Sequence, residues 1–340
     1  MRFYFAIPAG LLAFLLALEL VLQVLPVNSG VRMAPTGEDA PYSRYLREQS
    51  FVYSHGWALT NHRRGVTNDQ GFVNSPNFDK TGGVLVIGDS YIEALMLPYP
   101  ATLQGQLAAS LHGNVLAAAA SGNGLADTLQ LARHFAPGLQ PDTIVVFAKP
   151  TELDTLLGIP RRGHNSFQLR GREVSLVHAP YQEASSKHVM LQSALLRYGY
   201  YNLKFTEWLN TAFAHLQGQG GFTLPAQEAD NEKVVEWYFS ELKQAAPGSR
   251  IIFLADGDRD GIYNGMNNEK SRRIQQHLAV LQREAAVAKI EFINMHPVFE
   301  QHWKTRHERM DFLPMDGHWN PVGHALAAQE VLKRLGHKAP

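Results

Sequence analysis

The chain has 340 residues, 45% of them hydrophobic, which is enough to bury a full core in one large domain or two smaller ones. Its 31 Lys and Arg residues balance its 31 Asp and Glu residues, so the totals leave no large basic surface that would favour nucleic acid as a partner. The absence of cysteine excludes disulfides, thiolate catalysis, cysteine-ligated zinc and a lipoprotein thioether.

The N-terminal segment predicts a membrane anchor. From Phe3 to Leu25 the sequence is apolar except for Glu19 and Gln23, and at about 20 residues such a run can span a bilayer. No clear small-x-small cleavage site follows, which favours an uncleaved anchor over a cleaved signal peptide, and the lack of a polar face argues against an ordinary core helix. Arg2 predicts a cytoplasmic N-terminus, so we expect a single-pass protein of the inner membrane whose body is periplasmic or otherwise extracytoplasmic.

The rest of the chain shows an irregular stretch and then an alternation of strands and helices. After the anchor of residues 1–27, residues 28–83 are rich in Pro, Gly, Asn and charge and predict a linker and an irregular lead-in, with Ser50–Tyr53 as a candidate edge strand. The predicted strands are Val84–Ile87, Asn114–Ala118, Thr143–Ala148, Arg250–Leu254 and Lys289–Ile293. The predicted helices are Tyr91–Leu111, Leu125–Phe135, Asn231–Gln244, Asn267–Val287 and Pro321–Leu335.

This alternation predicts an α/β fold. Right-handed crossovers would build a doubly wound, mainly parallel five-stranded sheet over residues 84–338, interrupted by a large insertion at about 155–230. Since ligands of such sheets gather at the carboxyl ends of the strands, we expect Ser90, Gly122 and Thr151 to face one crevice.

Two motifs far apart in the chain predict nucleophilic catalysis. Ser90 follows a buried strand and opens a helical pattern, so its hydroxyl is exposed at a strand-to-helix turn; its alternative role is that of a helix N-cap. A serine needs a base to accept its proton, and a histidine base needs a group that fixes its tautomer. His318 and Asp316, two residues earlier, fill these roles, while His324 in the last helix is interpreted as structural.

An ester-cleaving serine also needs donors for the oxyanion of its tetrahedral intermediate. The backbone N–H of Ser90 lies at a predicted helix N-terminus, and that of Gly122 lies in the turn after the second strand, so both are candidate donors.

These residues resemble the SGNH (GDSL-type) hydrolase family. The matching blocks are Gly88-Asp89-Ser90, Ser121-Gly122-Asn123-Gly124 and Asp316-Gly317-His318-Trp319-Asn320-Pro321, and the lead-in Thr67-Asn68-Asp69-Gln70-Gly71-Phe72 is similar to that of bacterial envelope members. The resemblance implies a flavodoxin-like three-layer sandwich with Ser90 as nucleophile, Gly122 as oxyanion donor and His318 as base.

The chain departs from the family pattern in two places. The family's third block is Gly-x-Asn-Asp, whose asparagine is an oxyanion donor, whereas this chain reads Ala148-Lys149-Pro150-Thr151-Glu152. Either the Asn123 amide or the Thr151 hydroxyl replaces that donor, or the oxyanion hole has two donors only. Many members also carry the aspartate three residues before the histidine; the shorter spacing here resembles polysaccharide acetyltransferase relatives.

The insertion supplies candidate substrate-binding residues, and the remaining motifs favour neither metal nor cofactor. Arg161, Arg162, His164 and Asn165 would contact an anionic or sugar substrate, although a charge run is more often a solvated face. The run 256–261 is only superficially similar to a calcium loop, and no Gly-rich phosphate loop follows the first strand, so we expect no metal and no cofactor.

Together these features predict a membrane-anchored extracytoplasmic serine esterase or O-acyl(acetyl)transferase that acts on an acylated envelope glycan, or a similar ester, through an acyl-Ser90 intermediate. The incomplete third block keeps an alternative open: a weak or inactive SGNH-like glycan-binding or scaffold module of an envelope biosynthetic complex. A lipase or thioesterase is a third reading, and it would need an apolar groove. The expected partners are the ester substrate, the inner membrane and envelope biosynthesis proteins, and no nucleic acid.

Overall fold

A computed structural model describes residues 2–205, 228–265, 268–313 and 315–337. The chain divides into two units, called the anchor unit, after the prediction for its first helix, and the sheet unit. The anchor unit comprises Met1–Arg32, Gln49–Val66 and Glu183–Thr223, and the sheet unit comprises Met33–Glu48, Thr67–Gln182 and Leu224–Pro340. The predicted lead-in and the predicted insertion each contribute to both units, and residues 206–227 of the insertion lie outside the described part.

The strands, numbered in chain order, are β1 (Ser50–His55), β2 (Thr60–Val66), β3 (Val84–Gly88), β4 (Val115–Ala119), β5 (Thr143–Ala148), β6 (Asn165–Arg170), β7 (Glu173–His178), β8 (Arg250–Ala255), β9 (Glu291–Asn294), β10 (Asp311–Phe312) and β11 (Asp316–Trp319). The α-helices are α1 (Arg2–Val24), α2 (Ser90–Glu93), α3 (Leu103–Leu111), α4 (Leu125–Leu139), α5 (Ser185–Met190), α6 (Ala194–Arg197), α7 (Glu228–Ala245), α8 (Arg259–Asn264), α9 (Glu269–Val287), α10 (Met295–Arg306) and α11 (Pro321–Leu335).

The sheet unit is built on a five-stranded sheet in the order β4-β3-β5-β8-β9. All four neighbouring pairs are parallel, so every strand ends at the same edge of the sheet. The α/β prediction is confirmed, and the strand order is the flavodoxin-like one, in which ligands bind where the order reverses, here at β3 and β5.

Alternate side chains of the central strands serve two separate cores. On β3, Leu85 and Ile87 pack with residues of α4, α7 and α9, whereas Val84 and Val86 pack with residues of α3, α10 and α11. A strand that is covered on both faces appears in the sequence as an unbroken apolar run. For this reason the bounds of the five strands were predicted to within two residues.

The predicted helix Tyr91–Leu111 was wrong as a single helix. The chain forms the short α2, a 3-10 turn at Tyr99–Ala101, and then α3. Ala94 adopts a left-handed conformation at the end of α2, and Pro98 and Pro100 interrupt the stretch that follows. The break leaves α2 as a single turn beside the sheet edge, which carries Ser90 at its first position.

In the anchor unit, α1 is the apolar N-terminal helix that was predicted. Its residues Ile7–Val24 are apolar enough to cross a membrane, and only 6% of them are buried. The unit also contains the antiparallel pair β1–β2, in which Phe51 lies opposite Gly65, and the helices α5 and α6. A small core joins Leu22, Val27 and Ala194.

Candidate active site

Ser90 lies where the carboxyl end of β3 turns into α2. Asp89, and not Ser90, is the N-cap of this helix: its carboxylate accepts a hydrogen bond of 2.9 Å from the backbone N–H of Tyr91. Because Asp89 caps the helix, the hydroxyl of Ser90 is left for chemistry, and the alternative role of Ser90 as an N-cap is excluded.

The three residues of the predicted triad meet at this turn. The Ser90 Oγ lies 2.7 Å from Nε2 of His318, and Nδ1 of His318 lies 2.5 Å from Oδ1 of Asp316. The same Asp316 oxygen accepts a bond of 3.1 Å from the His318 backbone N–H, which fixes the carboxylate against the ring. With Asp316 accepting the Nδ1 proton, Nε2 is the atom that faces the serine and can accept its proton.

Gly122 lies in the turn after β4, which ends beside β3 at the same sheet edge. Its φ of 89° is in the left-handed region that favours glycine, and a Cβ at this position would come within 2.8 Å of the guanidinium of Arg161. The neighbouring Asn123 is buried and donates 3.1 Å from Nδ2 to the carbonyl of Gly88, so its amide ties this turn to the end of β3.

The segment after β5 contains an ion pair in place of the family's asparagine. Lys149 forms a salt bridge with the buried carboxylate of Asp89 and lies over the ring of Tyr91. Burial opposes the charge of Lys149, but the attraction of Asp89 and Glu152 outweighs it and raises the pKa of the amine. Lys149 therefore braces the residue that precedes the nucleophile. Thr151, the other candidate donor, lines a cavity together with Tyr91 and Lys149.

Two residues of the insertion that precede β6, Arg161 and His164, lie beside the turn of Gly122. Arg161 donates 2.7 Å to the carbonyl of Gly122, and the ring of His164 lies 3.3 Å from the position that a Gly122 Cβ would occupy. Asn165 is buried and donates to Asp127 through both its backbone and its side-chain N–H, so its hydrogen bonds hold the fold together. Arg162 is exposed. Of the four candidate substrate residues, Arg161 and His164 are the two beside Gly122.

Arg259, which no motif in the sequence indicates, connects the segment of Ser90 to the segment of His318. Its guanidinium donates 2.8 Å to the carbonyl of Gly317, between Asp316 and His318, and 2.8 Å to the hydroxyl of Tyr91, next to Ser90. The Tyr91 hydroxyl in turn donates 3.0 Å to the same Gly317 carbonyl. The turn that carries Ser90 and the loop that carries His318 are therefore joined by one buried side chain.

Two buried aspartates hold Arg259 in this position. Asp311 accepts 2.9 Å from one guanidinium nitrogen, and Asp256 accepts 3.1 Å from the other. Asp256 also accepts 2.9 Å from the indole N–H of Trp319, which is fully buried. Burial opposes the charge of Arg259, but Asp256 outweighs it and raises the pKa of the guanidinium. We call Arg259 with Asp256 and Asp311 the clamp. The acidic run 256–261, which superficially resembles a calcium loop, thus contributes the arginine and one aspartate of the clamp.

A second buried group, Glu93, supports the turn of Gly122. It accepts 2.9 Å from the hydroxyl of Tyr45 and 2.7 Å from the hydroxyl of Ser121, the residue before Gly122. The backbone N–H of Ser121 donates 3.2 Å to the Tyr45 hydroxyl, which completes a closed network. Burial raises the pKa of Glu93 to about 7, despite the bonds from Ser121 and Tyr45.

This burial predicts a pH-dependent stability. The pKa of the Glu93 carboxyl is about 7 in the folded protein and has its ordinary value of 4.5 in the unfolded chain. The stability that this difference contributes is therefore complete below about pH 4.5 and is lost as the pH rises through 7. We expect Glu93→Gln to remove this loss. The free energy of unfolding of the variant minus that of wild type should therefore increase by up to about 3 kcal/mol between pH 5 and pH 8. Unfolding in detergent across this pH range measures the difference, and parallel curves for the two proteins would contradict it.

His324 has the structural role that its position in the last helix predicted. Its Nδ1 accepts 3.0 Å from the backbone N–H of Leu103, and burial lowers its pKa to about 3, so the ring is neutral. It links α11 to the first turn of α3.

A cavity of about 220 Å³ is lined by Tyr91, which follows Ser90, and by Gly317, which lies between Asp316 and His318. Its charged and polar lining residues further include Lys149, Thr151, Asp256, Asp258, Arg259, Asp260, Lys270 and Asp311. A lining of this kind can take hydroxyl groups of a polar substrate.

Comparison with known proteins finds no matching family model and no matching curated protein. Solved structures similar to this chain include LAE5, an alpha/beta hydrolase from the metagenome of Lake Arreo, Spain, at 14% identity and a TM-score of 0.45, covering 76% of this chain and 97% of that one. A catalytic mutant of Axe2, an acetylxylan esterase from Geobacillus stearothermophilus, is similar at 16% identity and a TM-score of 0.44, covering 76% and 96%. A member of the lipolytic protein G-D-S-L family from Veillonella parvula is similar at 13% and 0.39, covering 74% and 97%.

Ser90 and His318 meet at the carboxyl edge of the five-stranded parallel sheet, and Asp316 bonds the other ring nitrogen of the histidine. Gly122 follows the neighbouring strand β4 at the same edge. In this arrangement the chain resembles the SGNH (GDSL-type) hydrolases, as its motifs predict.

Proposed function

We propose that the chain is a membrane-anchored, extracytoplasmic serine esterase or O-acyltransferase that acts on an acylated envelope glycan. The observation that carries this proposal is the continuous contact from Ser90 Oγ to His318 Nε2, at 2.7 Å, and from His318 Nδ1 to Asp316, at 2.5 Å. Such a relay has the geometry that serine acyl transfer requires.

The reaction follows from these contacts. The Ser90 oxygen attacks the ester carbonyl while His318 Nε2 takes the hydroxyl proton, and the Asp316 carboxylate stabilises the imidazolium. The backbone N–H groups of Ser90 and Gly122 bind the oxyanion. The imidazolium then gives its proton to the departing alcohol, which leaves acyl-Ser90. Water or a sugar hydroxyl attacks the acyl group in the second half, again with His318 as base, and Ser90 recovers its proton.

The surroundings of the triad favour a polar substrate. The lining of the adjacent cavity includes charged side chains and the hydroxyl groups of Tyr91 and Thr151, and the exposed Arg161 lies beside Gly122. These groups suit the hydroxyls or carboxylates of a glycan better than a long acyl chain, and α1 would hold the protein at a membrane where envelope glycans are made.

An acetate-release assay on the detergent-solubilised full chain tests the proposal. We expect hydrolysis of an acetylated oligosaccharide by wild type and loss of hydrolysis in Ser90→Ala. Addition of an unacetylated oligosaccharide separates the two chemistries, because a transferase moves the acetyl group to it. Turnover that is undiminished in Ser90→Ala would eliminate the proposal, and the absence of any turnover in wild type would favour the glycan-binding module.

Arg161→Gln tests the substrate class. We expect KM for an acetylated acidic oligosaccharide to rise about tenfold, since a charge-assisted hydrogen bond contributes about 1.5–3 kcal/mol, while kcat/KM for a small neutral acetyl ester changes little. Steady-state kinetics on both esters measure this contrast. Equal losses on both would show that Arg161 supports the turn of Gly122 and does not bind substrate.

A further inference from the structure

One face of the anchor helix is occupied by a segment from the insertion. The carboxylate of Glu19 accepts hydrogen bonds of 2.8 Å from the hydroxyl of Ser193 and from the backbone N–H groups of Ala194 and Leu195. One turn further along, Gln23 donates 3.3 Å to the carbonyl of Gln192. The helix is therefore bound to this segment at specific residues.

Apolar contacts accompany these bonds. Leu22 is 5% exposed and packs with Val27 and Ala194, and Leu18 and Leu195 pack against them. By contrast, the residues towards the N-terminus of the helix, such as Leu12 and Phe14, are about 60% exposed. Among the described side chains, those of the last two turns of α1 contact the attached segment.

The depth of that attachment follows from helix geometry. If α1 crosses the bilayer from Arg2, the next charged residue, Glu19, comes 17 residues later, a rise of about 26 Å at 1.5 Å per residue, which is close to the thickness of about 30 Å of the hydrocarbon core. Glu19 then lies near the boundary of the hydrocarbon core, and the segment Gln192 to Leu195 bound to it lies at the level of the lipid headgroups. A carboxylate at this depth needs partners, and Glu19 has three donors from the attached segment.

The exposed side chains that flank the attachment suit this level. Val189 on α5 is 66% exposed and Leu196 on α6 is 51% exposed, on a segment that also carries Lys187 and Arg197. Apolar side chains mixed with basic ones are typical of short helices that lie in the interface of a membrane.

We propose that the segment Ser185–Arg197 rests on the membrane surface, with Val189 and Leu196 among the lipid headgroups and Glu19 as its fastening to the anchor. The inference rests on the membrane anchoring in the proposed function. It identifies a role for this part of the insertion: the anchor unit has two contacts with the bilayer, a spanning one and an interfacial one. It also makes α1 a permanent part of the protein, since its removal would leave the N–H groups of Ala194 and Leu195 without their carboxylate.

The lack of cysteine permits a direct test. Single cysteines at Val189 and Leu196 would be labelled with an environment-sensitive fluorophore in the full chain, reconstituted in phosphatidylethanolamine–phosphatidylglycerol vesicles with nitroxide-labelled lipid. Leu12→Cys marks the bilayer interior, and Val287→Cys, an exposed valine of the sheet unit at 68% exposure, is the matched control.

We expect the fluorophores at 189 and 196 to show blue-shifted emission. Nitroxide carried near the lipid headgroup should quench their fluorescence at least about twice as strongly as iodide does. The additional change Glu19→Ala should restore iodide quenching at 196. Iodide quenching at 189 and 196 equal to that at 287, with Leu12 still quenched by lipid, would overturn the inference and leave the anchor intact. A Leu12 site quenched by iodide would overturn the anchor as well. Reaction of Ser90 with a fluorophosphonate, measured on the same samples, reports on catalysis separately.

Discussion

Replacement of Ser90 by alanine is expected to lower kcat/KM for an acetyl ester by about ten-thousand-fold or more, because the acyl-enzyme route then has no nucleophile. His318→Ala should cost about as much, since the serine hydroxyl without its base at 2.7 Å is a weak nucleophile. The double variant should be no worse than either single one, because the two residues act as a unit. Steady-state hydrolysis by the detergent-solubilised chain measures all three.

A matched control is Ser240→Ala, an exposed serine on α7, which should retain wild-type activity. The folded state of each variant is checked by thermal unfolding. Neither Ser90 nor His318 is buried, so their removal should leave the transition close to that of wild type. If Ser90→Ala kept more than a small fraction of the wild-type activity, hydrolysis would have to occur by another route.

The second large effect is expected at Arg259. Arg259→Met leaves the carboxylates of Asp256 and Asp311 buried without their shared cation, and breaking a buried ion pair in this way typically costs about 3–5 kcal/mol of stability. The carbonyl of Gly317 also loses one of its two donors, and the other donor, the Tyr91 hydroxyl, loses its own bond to the guanidinium, so His318 should drift from Ser90. A displacement of about 1 Å at a catalytic group can cost about a hundredfold in rate, and we expect a loss of this size in kcat with KM nearly unchanged.

Two further variants separate positioning from general stability. Arg259→Lys keeps the charge but cannot reach all four acceptors, so it should recover part of the stability and little of the rate. Arg250→Met removes a partly exposed arginine that pairs with Glu291 at the opposite end of β8, and it should leave kcat unchanged. Wild-type kcat in Arg259→Met, measured well below its unfolding temperature, would show that the clamp has no part in placing His318.

The elements that could be predicted from the sequence are those with a strong local pattern. The strand Thr143–Ala148 and the helix Pro321–Leu335 have the predicted bounds, because an unbroken apolar run and a proline at the first helical turn are visible in the sequence itself. The helices α8 and α10 were missed: α8 is six residues long, and α10 directly follows β9 without a loop that would separate them.

The triad could be predicted because its residues occur in short motifs, while its supports could not. Tyr45 comes from the lead-in and Arg259 from a run with the appearance of a loop, and each meets the site only through the fold. Glu93 lies three residues after the nucleophile, yet nothing local indicates that it would be buried beneath Ser121. Contacts between distant segments depend on the strand order, which the pattern of a single sequence does not contain.

The central claim is that Ser90 is an activated nucleophile, and mapping of covalent labelling by a fluorophosphonate tests it most directly. The full chain would be treated with the probe, digested and examined by mass spectrometry, with Ser90→Ala and His318→Ala in parallel. We predict a single adduct on the peptide that contains Ser90, absent from Ser90→Ala and strongly reduced in His318→Ala. An unlabelled Ser90 in the folded wild-type protein would contradict the account.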